Sequence, residues 1–329
     1  MMHDIKNRIF NIKDQDDFQE IALKIFNYQA DNNRVYRDFI NLLRTNPGSV
    51  SSLAKIPFLP AGFFKDHKII TGDLPEVLVF ESSGTSGVSA SKHYVVDPEI
   101  YKESFLRAFT LLYGAPEDYF IAALLPSYTE RKNSSLVFMM DDIIKRSAYP
   151  GSGFYRDNIS ELLFQIKTAG SRKRKILLMG VSFALLDLAE RYHPDLSGAI
   201  VMETGGMKGM RKEVTRWEMH SVLKKNFNVK NIHSEYGMTE LLSQAYSKGD
   251  GIFYPPPWMM ILIRDPQDPL SIITESGKTG GINVIDLANI HSCSFIATDD
   301  LGKIHEDGGF EVLGRLDNSD IRGCNLMIE

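Results

Sequence analysis

Two cysteines in 329 residues, Cys293 and Cys324, are too few for a disulfide framework or a four-cysteine zinc site. In a reducing compartment they stand as free thiols, and a thiol function stays open. The eight histidines are scattered, with no His-x-x-x-His or Cys-x-x-Cys pair, which disfavours a metal enzyme. Neither sign of charge dominates. With 37 Lys and Arg against 42 Asp and Glu, the formal charge is −5, so no global basic field exists to attract nucleic acid or an anionic membrane. Long hydrophobic runs are also missing. The longest, 176–186, contains Gly180 and Ser182 and falls well short of the ~20 residues that span a bilayer. Residues Met1 to Phe18 hold no apolar core of a signal peptide, so the expectation is a cytoplasmic protein without membrane insertion. Repeats, heptads and low-complexity tracts are absent as well.

What is present is an ordinary globular composition, 43% hydrophobic and 24% charged, in a chain long enough for one large or two modest domains. Apolar residues at Phe18, Ile21, Ile25, Val35, Phe39, Ile40 and Leu43 predict two amphipathic helices that form an N-terminal cover. Pro57, Pro60 and Gly62 break the next segment. A strand at 77–80 runs into a loop of small residues, and strands and helices then alternate. The pattern predicts helix 98–112, strand 119–124, helices within 134–147 and 157–169, strand 175–179, helix 182–191, strand 198–202, helix 209–226 and strand 229–234. Such alternation predicts a layered α/β core with ligands at the sheet ends. After Tyr254 a proline triplet intervenes, and short runs at 258–264, 281–287, 293–298 and 310–313 predict a smaller, mostly β subdomain. The expected division is 1–250 for the α/β core with its helical cover and 251–329 for the β subdomain and tail.

Four segments carry chemistry. Ser82, Ser83, Gly84, Thr85, Ser86 and Gly87, with Lys92 just beyond, supply converging backbone N–H groups, hydroxyls and a cation suited to phosphate; a plain flexible loop is the alternative. The stretch lacks the Gly-Lys-Ser/Thr ending of a Walker A loop. In Tyr236-Gly237-Met238-Thr239-Glu240, the adjacent hydroxyl and carboxylate suit Mg²⁺, or else mark a helix start. Gly205-Gly206 lets backbone approach a flat ring, or forms an ordinary turn. Asp299 suits ribose hydroxyls and Arg315 a sugar or phosphate oxygen, although Asp-Gly turns are common.

In this order the four segments resemble the adenylate-forming superfamily of acyl- and aryl-CoA ligases, luciferases and adenylation domains, over positions 82 to 323, about three quarters of the chain. The IPFLPAGFFK and ETGGMKG segments, the short length and the Arg-Gly-Cys ending are similar to the acyl-protein synthetase family of bacterial bioluminescence, the LuxE type. That resemblance implies the superfamily's N-terminal domain without its usual C-terminal lid domain and its catalytic lysine. It implies ATP and Mg²⁺, with the 82–87 loop on the triphosphate, Thr239 and Glu240 on phosphate and metal, Asp299 and Arg315 on ribose, and Gly205, Gly206, Tyr236 and Gly237 around adenine. Lys92 or a partner would compensate for the missing lysine. His233, Gly180, Val181 and Ser182 would line the acyl pocket. The reaction implied is activation of a carboxylic acid, fatty by the family's habit, to an acyl adenylate, then transfer to a thiol. Cys324, CoA or a phosphopantetheine arm would accept it, and an acyl-CoA-reductase-like protein or acyl carrier protein would be the partner.

Cys293, alternating with Phe295, reads as a strand residue rather than a nucleophile. Two other readings stand. Gly180-Val-Ser182-Phe-Ala184 after a strand resembles the nucleophile elbow of a serine hydrolase. Alternatively, the chain is a nucleotide- or acyl-binding module without catalysis.

Overall fold

The computed structural model describes residues 2–82, 90–127, 129–205 and 214–316. The chain forms two compact units. One joins 1–77, 91–96 and 255–329; the other joins 78–90 and 97–254.

The second unit is a layered α/β domain. Its six-stranded sheet runs Gly153–Phe154, Tyr119–Leu124, Lys175–Val181, Ile200–Thr204, His233–Tyr236, Ala245–Ser247, parallel throughout except for the last strand. Strand Tyr119–Leu124 is buried along its whole length, as a parallel strand covered on both faces must be. On one face, helices Ile159–Ser171, Ser182–Tyr192 and Arg216–Phe227 pack Leu162, Leu185 and Leu223 onto Phe120, Leu178 and Val201. On the other, helix Pro98–Tyr113 lays Phe109 on Tyr119 and Tyr113 on His233, with ring centroids 6.0 and 5.7 Å apart. Asp97 caps that helix by accepting from Glu99 N, and Pro98 follows as its first residue.

The register across this sheet fixes what its carboxyl edge offers. Leu124, Gly180, Glu203, Ser234 and Ser247 form one row, and Val181, Thr204, Glu235 and Tyr246 the next. Because strand side chains alternate, the two rows point to opposite faces. The strand expected at 229–234 lies at His233–Tyr236 instead. Helix Arg216–Phe227 ends at Asn228 with φ 55°, and its N–H bonds Lys224 O, so the chain needs 229–232 to reach the sheet. Within the described residues, the helix expected from 209 starts at Arg216.

In the first unit, strands Met259–Arg264, Gly280–Asp286, Phe295–Ile304 and Phe310–Arg315 form an antiparallel sheet, with Ile272–Ile273 at one edge. Leu59–Pro60 pairs parallel with the first half of Phe295–Ile304, beside the stretch that later pairs with Phe310–Arg315. Helices Met2–Ile9, Gln15–Asn32 and Arg34–Leu42 belong to this unit, so the expected division at 250 differs from the grouping in the structure. The reason is a buried polar seam. Gln29 Nε2 donates to Asn289 O at 3.0 Å and its Oε1 accepts from Ser294 N at 2.9 Å, while Asn33 Nδ2 donates to Ser292 O at 2.8 Å. Phe26, Tyr36 and Phe58 close around Phe295. Polar groups buried this deeply must be paired, and their partners lie some 260 residues away in sequence.

Candidate active site

The carboxyl ends of the three central parallel strands open into a cavity of about 210 Å³. Val181, Thr204 and Glu235, the outward row of the sheet, form its floor together with Gly205. The segment after the last parallel strand adds Gly237, Met238, Thr239 and Gln244. Tyr101 comes from helix Pro98–Tyr113, and Ser134, Leu136 and Met139 from the start of helix Ser135–Arg146, whose cap Ser134 accepts from Val137 N. Glu81 and Arg131 complete the wall. Ligand crevices at the carboxyl ends of parallel strands are the general rule for open α/β sheets.

Local geometry explains the glycines. Gly205 has φ 66°, a left-handed conformation that turns the chain sharply off the end of its strand. At Gly237 a Cβ would run into Glu235 Oε1. Glu235 is buried, and its Oε2 accepts from Thr204 Oγ1. On the opposite face, Glu203 sits in a separate cluster: Ser182 Oγ donates to its Oε2 at 3.2 Å, and Arg216 Nε and His220 Nε2 lie 3.5 and 3.6 Å from its Oε1. A capping box between Thr215 and Glu218 fixes the helix start that presents Arg216.

Of the residues singled out in the sequence, Val181, Gly205, Gly237 and Thr239 line this one cavity. Glu240 is buried and lies outside its lining. Ser82 is half-buried and follows strand Leu78–Glu81, whose last residue is in the cavity wall. Tyr236 packs edge-on against Phe253 at 5.9 Å. Gly180 is a packing glycine, since a Cβ would meet Leu124 Cβ at 2.9 Å and Leu185 Cγ at 3.1 Å. His233 lies two residues back from Glu235, its Nδ1 3.2 Å from Tyr113 OH. Burial, with Lys248 adding to it, lowers the imidazole to about 4. Lys92, Asp299 and Arg315 belong to the other unit. There Lys92 opens strand Lys92–Val95 and is exposed, and Arg315 Nη2 meets Asp299 Oδ2 at 3.4 Å on the surface. Ser83, Gly84, Thr85, Ser86, Gly87, Gly206 and Cys324 lie outside the described residues.

Cys293 is fully buried, its Sγ 3.5 Å from Phe295 O, and burial pushes its thiol up to about 12. That is the environment of an inert cysteine. The hydrolase elbow fares no better. Ser182 is 2% exposed, its Oγ lies 2.5 Å from Gly205 O, and His220 Nε2 has no hydrogen-bond partner. A serine nucleophile needs a hydroxyl open to substrate and bonded to a base such as histidine, whereas Ser182 is buried with its hydroxyl held by Glu203 and Gly205 O.

Arg131 and Gln244 stand in none of the segments singled out from the sequence, whereas Glu81 and Glu235 stand beside residues of the first and second without a role of their own. The last parallel strand, expected at 229–234, runs His233–Tyr236, so Glu235 is a strand residue rather than one that follows the strand. For Gln244 and Arg131 no spacing signal exists; they meet the cavity only in the fold.

No known family's sequence profile matches the chain. A long-chain-fatty-acid–luciferin-component ligase of Vibrio harveyi is 23% identical over 92% of this chain and 84% of its own length. Among solved structures, a 2-hydroxyisobutyryl-CoA ligase in the postadenylation state superposes with a TM-score of 0.65 at 12% identity, over 95% of this chain and 70% of that one. ATP-bound MatB from Rhodopseudomonas palustris gives 0.52 at 17% identity over 72% of this chain. The O-succinylbenzoate CoA synthetase MenE from Bacillus subtilis, in complex with ATP and magnesium, gives 0.51 at 17% over the same share. This is the adenylate-forming fold. In the last two comparisons this chain spans about half the neighbour's length, 47% and 49%. The Vibrio relative bears out the likeness to acyl-protein synthetases read from the sequence. Among the described residues, no helix is long and apolar enough to cross a membrane.

Proposed function

We propose that this protein activates a carboxylic acid with ATP to an acyl adenylate and passes the acyl group to a thiol. The observation that carries the reading is the convergence of Gly205, Gly237 and Thr239, from two separate sequence segments, on one cavity at the ends of adjacent parallel strands. The Vibrio relative, named for a long-chain fatty acid, adds support for an acid substrate.

In this reading an oxygen of the substrate carboxylate attacks the α-phosphorus of ATP, the bond to the β-phosphate breaks and pyrophosphate leaves. No protein base is needed, because a carboxylate is already ionised near neutrality. The chain's work is positioning and charge neutralisation. Gly205 and Gly237 let backbone approach the nucleotide. The hydroxyls and backbone N–H groups of 82–87, with Lys92, hold the phosphates, while Asp299 and Arg315 hold the ribose. Thr239 and Glu240 would hold Mg²⁺. Thr239 lines the cavity and Glu240 follows it in the chain, and hard oxygens of this kind suit an ion that takes one or two protein ligands alongside substrate phosphates. The ion, when bound, offsets phosphate charge. A thiol sulfur then attacks the acyl carbonyl and AMP departs, leaving a thioester. With Cys293 buried, Cys324, CoA or a phosphopantetheine arm remains as acceptor, and an acyl-CoA-reductase-like protein or acyl carrier protein as onward partner.

The test is exchange of labelled pyrophosphate into ATP across a panel of acids, followed by intact mass. Acid-dependent exchange is expected, and its absence with every acid would leave only a binding module. Glu240→Ala should lower exchange by about a hundredfold, in line with losing one charge-stabilising contact. Cys324→Ser should keep exchange and lose any hydroxylamine-sensitive acyl adduct; an adduct that survives would exclude Cys324 as its site.

A further inference from the structure

At the amino ends of the same parallel strands, away from the cavity described above, lies an open groove of about 360 Å³. One face of helix Ile159–Ser171 forms its wall: Leu163, Ile166, Lys167 and Gly170 recur at three- and four-residue spacing and so share that face. The floor is the margin of the core. Ile176 stands near the start of strand Lys175–Val181, Ala199 just before Ile200–Thr204, and Leu196 is buried. Phe164, three residues before Lys167 on the helix, is 61% exposed. Gly170 lies within a helix, where glycine is unfavourable, yet a Cβ there would meet nothing within 4 Å. Packing inside the chain does not demand it; its bare backbone leaves room for something outside.

The rim is basic in a chain whose formal charge is −5. Lys167 on the helix is followed by the run Arg172, Lys173, Arg174 and Lys175. Lys175 meets Asp118 at 3.3 Å, whereas Lys167, Arg172, Lys173 and Arg174 are exposed and make no ion pair among the described residues. A helix dipole favours a cation in the last turn, but not a run that continues to Arg174 beyond it. Lys173 even takes φ 54°, where glycine is the usual helix stop. The carboxylate in the lining, Asp195, is held locally by Ser197 N and Asn228 Nδ2.

We infer that this groove docks an amphipathic helix of a partner protein, its apolar stripe over Leu163, Ile166 and Gly170 and its acidic flank on the unpaired cations. Helix-in-groove recognition takes apolar anchors from such a face, and complementary charge fixes the register. A partner held here leaves the cavity open, because Ile176 and Val181 stand about 16 Å apart along their strand.

The experiment measures binding of synthetic peptides of about five helical turns to the full chain by fluorescence anisotropy. One peptide carries leucine on one face and glutamate on the other, a second has lysine for each glutamate, and a third scrambles the first. The glutamate helix should bind best and weaken as salt is raised. Charge reversal by Lys167→Glu, Arg172→Glu and Arg174→Glu together should weaken it at least about tenfold, with the unfolding midpoint and pyrophosphate exchange unchanged. Gly170→Leu, which puts a side chain into open space, should weaken it similarly at an equal or higher unfolding midpoint, since leucine favours helix. Equal binding of the scrambled or lysine peptide, or no binding of the glutamate peptide, overturns the inference. So does capture of phosphatidylserine vesicles by the same cations without peptide binding, which makes the face a membrane surface. A dimer that charge reversal dissolves overturns it too, because the occupant is then a second copy of the chain. None of these residues lines the cavity, so each of these failures leaves adenylation standing.

Discussion

Glu203 and Glu235 lie one register row apart at the carboxyl edge of the same sheet, and both are buried, yet their surroundings differ completely. Glu203 points to the helix-covered face, where Ser182, Arg216 and His220 converge on it. Glu235 points to the cavity, where Thr204 donates to it and the unpartnered Gln244 stands nearby. One carboxylate secures a strand to its helices, and the other forms part of a surface a ligand can meet. The difference comes from strand alternation alone: a shift of one residue would exchange them.

Removing each carboxylate tests that contrast. Glu203→Ala takes a buried acceptor from Ser182 and the facing carboxylate from the half-exposed Arg216, and losing a hydrogen bond to a buried charged group costs about 2 kcal/mol. A fall of that size in unfolding free energy is expected, read by thermal or urea unfolding; an unchanged midpoint would show that the cluster is not structural. Glu235→Gln keeps the shape and an acceptor for Thr204, so stability should change by less than about 1 kcal/mol. Its effect should appear as a rise of about tenfold in KM for the substrate that occupies the cavity, the loss expected from one charge-assisted contact. If Glu235→Gln instead destabilises the fold as much as Glu203→Ala, the two carboxylates are equivalent and the contrast fails.

How these residues appeared in the sequence follows the same physics. Thr239, Gly237 and Gly205 were visible because motif chemistry demands particular residues at fixed short spacing. Strand 119–124 and the body of Lys175–Val181, expected at 175–179, are legible because continuous apolar runs signal burial on both faces. The bounds of the strand that carries His233 and Glu235 are less legible, because a four-residue strand has little periodicity, and moving its start from 229 to 233 changes which residue tops the sheet. Gln29 and Asn33 sit on an amphipathic helix that looks like a cover, and only their distant partners at 289–294 place it in the other unit. Long-range pairing of that sort leaves no local pattern.

His233 extends the comparison down the same face as Glu235. Its folded value of about 4 lies below the ordinary 6.5, so the folded protein keeps it neutral where the unfolded chain would protonate it. Its contribution is therefore intact above about pH 6.5 and is lost progressively as the pH falls toward 4. Thermal midpoints between pH 7 and 4 should decline, and His233→Asn, which retains an acceptor for Tyr113, should flatten part of that decline. Parallel slopes for the two proteins would remove His233 as a source.

The smallest stability effect is expected where an acid and a base are paired in water. Asp299 and Arg315 meet at 3.4 Å with side-chain exposures of 50% and 74%, in contrast to Glu203 at 4%. Exposed pairs contribute little, so Asp299→Ala should shift unfolding free energy by no more than about 0.5 kcal/mol. The strand pairing beneath it supports the same expectation, because Leu316 N bonds Asp299 O, a backbone contact that alanine keeps. If Asp299 holds ribose hydroxyls, the same variant should raise KM for ATP about tenfold, the value of a lost hydrogen bond to a charged group. A variant normal in both stability and nucleotide affinity would mean that this exposed pair, unlike the carboxylates of the sheet edge, has neither a structural nor a ligand-binding role.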